Sequence, residues 1–261
     1  MLWDWFKRRR RRRILSQAFP SGWKGWLEEH VLQYRRVPPE LQLRLLDLTQ
    51  VFIAEKNWEG CEGFEVTDEV RVTIAALASL LVLGRPDELN FDHVLSILVF
   101  PDIYRARLKQ QNAAGVVIER REARAGEAWY RGPVILSWED VLADARGEFR
   151  GDNVVLHEFA HQLDMAGSGS VDGTPRLPSR DAYERWGRVM QAAFRHLRER
   201  CRQGRPGLLD CYGAKDPAEF FAVITETFFE RPLAMRTQLP EVYELLEEFY
   251  GLDPSAWSWG E

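Results

Sequence analysis

The stretch Asn153–Asp164 reads NVVLHEFAHQLD and sets two histidines and a glutamate among apolar residues. His157, Glu158 and His161 form the pattern H-E-x-x-H. Burying an ionisable side chain without a partner costs free energy, so these groups need partners. Residues four apart lie on one face of an α-helix, so His157 and His161 can point both imidazoles at one metal ion. The pattern therefore predicts a helix over Val154–Met165 that carries a metal site.

Zinc is the metal that this pattern indicates. Imidazole nitrogens bind zinc at about 2.0–2.1 Å, and a catalytic zinc has three protein ligands and one open position for water. Glu158 need not bind the metal and is placed to accept a proton from the water that the metal activates. The five-residue pattern arises by chance in about one chain in a hundred of this composition. The alternative is a structural helix whose histidines form hydrogen bonds in the core.

A third ligand is expected downstream of the motif. Asp164 is nearest in sequence, but a continuous helix places it about 10 Å of axial rise beyond the first histidine. Glu219 and Glu226 lie seven apart on an apolar segment that begins with the N-cap Asp216. Zinc would provide the cationic partner that such carboxylates need, but a capping box would also place a glutamate at the position of Glu219. Weaker candidates stand in ordinary or unsupported contexts: His30, His93, His196, Cys201 and Cys211.

The hydrophobic periodicity predicts an α+β fold in which helices surround a small mixed β-sheet. Six further helices are expected over residues 23–35, 38–57, 67–83, 183–202, 216–229 and 240–249, and SWEDVLADAR (137–146) is expected to lead into a short one. Short β-branched runs predict strands at 94–101, 115–122 and 132–138. Three parts are expected: a basic, flexible arm (1–22), a helical part packed on the catalytic unit (23–90), and the catalytic domain (91–261).

The charge of the chain is divided unevenly. Residues 1–13 hold seven basic residues and one acidic residue, whereas the rest holds 28 basic and 39 acidic residues, a net charge of −11. An acidic body of this kind is not expected to bind nucleic acid directly, because that function usually needs a basic face on the folded domain. The basic arm can contact anionic lipid or RNA, although such a run is more often a solvated terminus.

Cysteine usage and hydropathy predict a soluble, cytoplasmic protein. The three cysteines form no CxxC pair and no even-numbered framework, which favours a reducing compartment and argues against a cysteine-based zinc site. The basic start is not followed by the apolar run of a signal peptide. No stretch approaches the roughly 20 apolar residues that a membrane span needs.

Several segments together resemble the Mlc titration factor A family of zinc peptidases, which is related to the catalytic domain of anthrax lethal factor. HEFAH (157–161) is followed about fifty residues later by YGAKDPAEFFA (212–222), and GFEV (63–66), GPVILSW (132–138) and HQLD (161–164) also match the pattern of that family. The similarity runs from about residue 23 to 252, with the arginine-rich start outside it. It implies a zincin-like metallopeptidase fold, one zinc ion per chain and a peptide or protein substrate.

The resemblance also implies a role for each motif residue. His157, His161 and Glu219 would bind the zinc ion, Glu158 would be the general base, and Tyr212 would donate a hydrogen bond to the oxyanion of the tetrahedral intermediate. The alternative function is a regulatory binding protein that sequesters a transcriptional repressor, with little or no peptidase turnover. A purely structural zinc site would need a fourth protein ligand, and the sequence offers no convincing one.

Overall fold

The structure is a computed structural model and describes residues 2–85, 91–102, 132–147, 151–168, 170–205 and 207–257. In these ranges the helices are, in chain order, α1 (Leu2–Leu15), α2 (Ser21–His30), α3 (Leu32–Arg36), α4 (Pro39–Glu55), α5 (Asp68–Leu80), α6 (Trp138–Arg146), α7 (Val154–Ser168), α8 (Arg180–Arg202), α9 (Pro217–Glu230), α10 (Pro232–Gln238) and α11 (Pro240–Tyr250). The strands are β1 (Asn57–Gly60), β2 (Ser96–Phe100) and β3 (Val134–Ser137). The arrangement is α+β, as the sequence predicts.

The three described strands form one parallel sheet in the order β1-β2-β3. Ile97 in the central strand pairs with Trp58 on one side and Val134 on the other. The sequence predicts a mixed sheet, but every strand pairing within the described ranges is parallel. The predicted strand 115–122 lies outside the described residues. Strand β1 was not predicted, because its sequence NWEG has no apolar alternation and it becomes a strand by pairing with β2.

The centre of the molecule is built from α5, α7 and α9, whose sequences are apolar on nearly every face. In α9 each residue from Ala218 to Glu230 is buried, which is typical of a helix enclosed on all sides. One hydrophobic cluster joins Leu27 and Phe52 of the N-terminal helices to Phe159 of α7 and Phe228 of α9. The N-terminal helices therefore pack on the unit that carries the motif.

The arginine-rich start of the chain forms helix α1. Helix α1 packs on α4 through Arg11, which is 7% exposed. The guanidinium of Arg11 donates to both carboxylate oxygens of Glu55, at 2.9 and 2.5 Å, and to Asp92 at 2.6 Å. These long-range ion pairs hold the segment against the acidic body.

Two of the three cysteines form a disulfide, which the cysteine pattern of the sequence did not indicate. Cys201 lies in the last turn of α8 and Cys211 begins a short 3-10 turn, Cys211–Ala214. The bridge ties that turn to α8, at a separation of ten residues. The third cysteine, Cys61, is buried. In the described part of the chain, no helix combines the length and the apolar character needed to cross a membrane.

Candidate metal centre

Helix α7 carries the motif histidines and is fixed at its start by Asn153. The side-chain oxygen of Asn153 accepts a hydrogen bond from the backbone N–H of Leu156 at 3.1 Å, which satisfies one of the free donors at the start of the helix. His157 and His161 follow one turn apart, and their ring centroids lie 4.9 Å from each other. The i, i+4 spacing therefore places both imidazoles on one face, as predicted.

Helix α9 brings Glu219 to the same place. Asp216 caps this helix by accepting a hydrogen bond from the backbone N–H of Glu219 at 3.0 Å, and Pro217 occupies the first helical position. The carboxylate of Glu219 does not complete a capping box: its Oε2 lies 3.0 Å from Nε2 of His157 and 3.5 Å from Nε2 of His161. Of the two readings left open by the sequence, the structure shows the one in which Glu219 faces the histidines.

His157, His161 and Glu219 together have the form of a metal centre. Each residue offers one ligand atom, and these atoms all lie within 4.8 Å of one another. The three residues are 1%, 7% and 4% exposed, so the cluster is shielded from bulk water. Nδ1 of His161 is buried and has no hydrogen-bond partner among the described residues. Two imidazoles and a carboxylate are a donor set that suits zinc and similar divalent ions.

The electrostatics of the cluster also fit a cation. Burial alone lowers the pKa of His157, but hydrogen bonds to Glu219 and Glu226 outweigh burial and raise this pKa to about 10. Burial alone raises the pKa of Glu219, yet hydrogen bonds to His157 and His161 hold it well below its usual range. The carboxylates of Glu219 and Glu226 therefore stabilise a positive charge beside them, and a divalent cation bound between the ligands would provide that charge.

Glu226 holds His157 from the side opposite Glu219. Its Oε1 lies 2.6 Å from Nδ1 of His157, and its Oε2 accepts a hydrogen bond from the backbone N–H of Asn153 at 2.6 Å. A carboxylate on the free nitrogen of a metal-binding histidine fixes the ring orientation and makes the imidazole a better ligand. The contacts of Glu226 therefore suit it to orient the ring of His157.

A second buried carboxyl, Glu230, extends this network towards the N-terminal helices. Oε1 of Glu230 accepts hydrogen bonds from the side-chain amides of Asn153 at 2.9 Å and Gln33 at 2.7 Å. Burial raises the pKa of Glu230 to about 8, and the nearby carboxyl of Asp144 adds to the effect. Burial likewise raises the pKa of Asp144 to about 7, although the backbone N–H of Val154 donates to it at 2.8 Å.

The sequence analysis did not predict this network, although the sequence contains indications of two of its members, Glu230 and Asn153. Glu230 lies four residues after Glu226 on the same apolar helix, so the argument that singled out Glu226 also applies to it. Asn153 precedes the motif helix and is a favoured N-cap residue. Gln33 comes from α3 and had no signal, because its contact with Glu230 spans 197 positions.

Asp164 lies outside the ligand cluster and fixes the loop after the motif helix. Its two carboxylate oxygens accept hydrogen bonds from the backbone N–H groups of Gly173 at 2.6 Å and Thr174 at 2.9 Å. Burial raises the pKa of Asp164 to about 6 despite these contacts. The carbonyl of Gly173 in turn accepts a hydrogen bond from the indole of Trp186 at 3.0 Å, which ties the loop to α8.

Glu158 and Tyr212 border the cluster in different ways. Glu158 is half-buried, and no described residue forms a hydrogen bond with its carboxylate. The hydroxyl of Tyr212 donates to Oε1 of Glu219 at 2.7 Å, and its ring centroid lies 5.9 Å from that of His157. Tyr212 is placed by the 3-10 turn, where Asp210 accepts a hydrogen bond from its backbone N–H at 2.6 Å.

Comparison with known proteins assigns the family. The model of the glucose-regulated metallo-peptidase M90 family matches residues 5–251 of this chain. The chain belongs to the M90 metallopeptidase family. The match includes the arginine-rich segment, so the expectation that this segment lies outside the family pattern is wrong. The histidine and glutamate cluster thus occurs in a family that is named for a metallopeptidase.

Individual relatives of this M90 chain agree with that assignment. Protein slr2042 of Synechocystis sp. is 36% identical over 252 residues, which cover 96% of this chain and 90% of the relative. Mlc titration factor A of Serratia proteamaculans is 32% identical and covers 82% of this chain and 81% of the relative. The protein of the same name from Salmonella agona is 31% identical over 82% of this chain and 80% of the relative. The resemblance found in the sequence is confirmed.

Proposed function

We propose that the chain is a zinc-dependent peptidase with one zinc ion held by His157, His161 and Glu219. The observation that carries the proposal is the convergence of these three ligand atoms within 4.8 Å, with Glu158 next to His157 on the same helix. Three protein ligands leave a position open, which is typical of catalytic zinc rather than structural zinc. We assign the zincin-like architecture on the same grounds, since the motif helix α7 and the ligand helix α9 pack together.

Zinc, when bound, would polarise the peptide carbonyl and lower the pKa of a water molecule. Glu158 accepts the proton of the attacking water, since no described residue forms a hydrogen bond with its carboxylate. It then delivers that proton to the leaving amine. The hydroxyl of Tyr212 donates a hydrogen bond to the oxyanion that develops on the substrate, and this bond selectively stabilises the transition state. Glu226 keeps the ring of His157 in place through its 2.6 Å contact.

Zinc content and peptide hydrolysis, measured together, test this proposal. Wild type is expected to contain about one zinc ion per chain, Glu219→Ala to lose it, and Glu158→Gln to keep it while losing activity by a factor of about 10² or more. Glu40→Ala is a matched control, because Glu40 is an exposed glutamate in the first turn of α4. If wild type binds no zinc, or if Glu219→Ala retains it, the ligand assignment is incorrect.

The relatives named Mlc titration factor A favour a second function, the binding of a protein. In this alternative the chain sequesters a transcriptional repressor and has little or no peptidase turnover. Glu158→Gln separates the two functions, since it removes the general base and leaves the surface largely unchanged. A repressor partner that binds this variant as strongly as wild type, while no peptide is hydrolysed by wild type, would favour sequestration. We retain the cytoplasmic location as a prediction from the sequence, which cell fractionation would test.

A further inference from the structure

Helix α1 has one face that holds it to the protein and one face that is open to solvent. The inner face docks on α4 and on the segment before β2: Lys7 pairs with Asp92, Arg10 donates to the carbonyl oxygen of Ala54 at 3.0 Å, and Arg11 binds Glu55 and Asp92. These contacts fix the rotation of the helix about its axis. The orientation of the opposite face is therefore determined as well.

The open face combines positive charge with large aromatic rings. We define it by six exposed residues: Trp5, Phe6, Arg8, Arg9, Arg12 and Arg13. Trp5 is 48% exposed and Phe6 is 59% exposed, and their ring centroids lie 4.9 Å apart. The guanidinium of Arg9 lies 5.4 Å from the centre of the Trp5 ring. Within the described side chains, Arg8, Arg12 and Arg13 form no ion pair.

We propose that this open face binds the anionic surface of a lipid bilayer, with Trp5 and Phe6 inserted at the headgroup level. Aromatic rings favour the interface between water and hydrocarbon, and arginines on a helix lying in that plane are attracted to anionic lipid headgroups. The two features are present together on the side of α1 that the protein leaves uncovered. The inference is independent of the proposed peptidase activity.

The acidic body favours a flat lipid surface over RNA as the occupant. Outside residues 1–13 the chain carries a net charge of −11, so a flexible polyanion that wraps around the protein would be repelled. A bilayer needs to meet only one face of α1. A helix with its side chains is about 10–12 Å across, which exceeds the Debye length of about 8 Å at physiological salt, so the helix separates the acidic body from the headgroups.

Flotation of the full-length protein with lipid vesicles tests the proposal. Wild type is expected to float with vesicles that contain phosphatidylglycerol and to remain unbound with vesicles of pure phosphatidylcholine. Each arginine near an anionic surface strengthens binding roughly fivefold, so glutamine at positions 8, 9, 12 and 13 is expected to weaken binding at least about a hundredfold. Replacing Trp5 and Phe6 by serine leaves the charge unchanged and is also expected to weaken binding.

Four exposed arginines elsewhere provide a control with the same change in charge. They are Arg188, Arg195 and Arg198 on α8 and Arg205 beyond it. Glutamine at these four positions is expected to leave vesicle binding intact. If both arginine variants lose the same amount of vesicle binding, the binding depends on the net charge of the protein and not on this face, and the proposal is overturned. So would a wild type that binds single-stranded RNA in an anisotropy assay but does not float with vesicles.

Discussion

Replacing Glu230 by glutamine is expected to remove a large part of the pH dependence of the unfolding free energy. Glu230 is 3% exposed, and burial raises its pKa to about 8, compared with 4.5 for an exposed glutamate. The folded state therefore holds a proton on Glu230 that the unfolded state releases above pH 4.5. Stability from this group is fully present below that pH and is lost as the pH rises through about 8.

The magnitude follows from the two pKa values. At about 1.4 kcal/mol per unit of pKa difference, the complete loss is about 5 kcal/mol. About 3 kcal/mol of that loss is expected between pH 5 and pH 8. This is a substantial part of the 5–15 kcal/mol by which whole domains are typically stable. Glutamine keeps a carbonyl acceptor for Asn153 and Gln33 but cannot ionise, so the variant avoids the loss.

Urea denaturation at pH 5 and pH 8, followed by tryptophan fluorescence, measures the effect. The quantity to compare is the change in unfolding free energy between the two pH values, because any constant cost of the substitution cancels in that difference. Exposed Glu65 offers the control, and Glu65→Gln is expected to follow wild type. If wild type and Glu230→Gln lose the same stability between pH 5 and pH 8, Glu230 does not titrate as its burial implies.

Three further expectations concern single residues around the metal centre. Tyr212→Phe is expected to lower kcat by about 10²–10³ with zinc content unchanged, which peptide hydrolysis and elemental analysis would show; normal kcat would remove the tyrosine from the mechanism. Glu226→Gln is expected to weaken zinc binding by about 10–100-fold in competition with a chelator, and unchanged affinity would mean that the orientation of His157 does not depend on it. Cys201→Ser is expected to lower the unfolding free energy by about 3 kcal/mol. A reducing agent should then destabilise wild type but not the variant, and equal sensitivity would contradict a bridge to Cys211.

The metal centre was predictable to the extent that it depends on local geometry. The spacing of His157 and His161 fixes their common face on any α-helix, whatever surrounds it. Glu219 was less certain from the residues alone, because its position near the start of α9 suits a cap as well as a ligand. Only the packing of α9 against α7 turns its carboxylate to the histidines. The family resemblance also indicates the ligand role of Glu219.

The elements that the sequence did not indicate depend on distant partners. Strand β1 exists because Asn57–Gly60 pairs with β2, which lies almost forty residues later in the chain. Helix α1 contains a run of six arginines, and such a run normally indicates a solvated segment. It is held by the bidentate contact of Arg11 with Glu55, 44 positions away. Local sequence patterns cannot predict contacts with residues that are so distant in the chain.

The hydrogen-bond network that begins at Nδ1 of His157 connects segments that are far apart in the sequence. Gln33 lies in the expected N-terminal part (23–90), and its side-chain amide donates a hydrogen bond to Glu230. Asn153 donates to Glu230 through its side chain and to Glu226 through its backbone N–H. Glu226 in turn contacts the ring of His157. Removing the N-terminal part would take away one of the two donors to Glu230 and expose a carboxyl that is now buried. A buried polar network is stabilising only when its members are satisfied. We therefore expect the ligand geometry at His157 to require the N-terminal helices, so the division predicted near residue 90 is not expected to yield an independent catalytic unit.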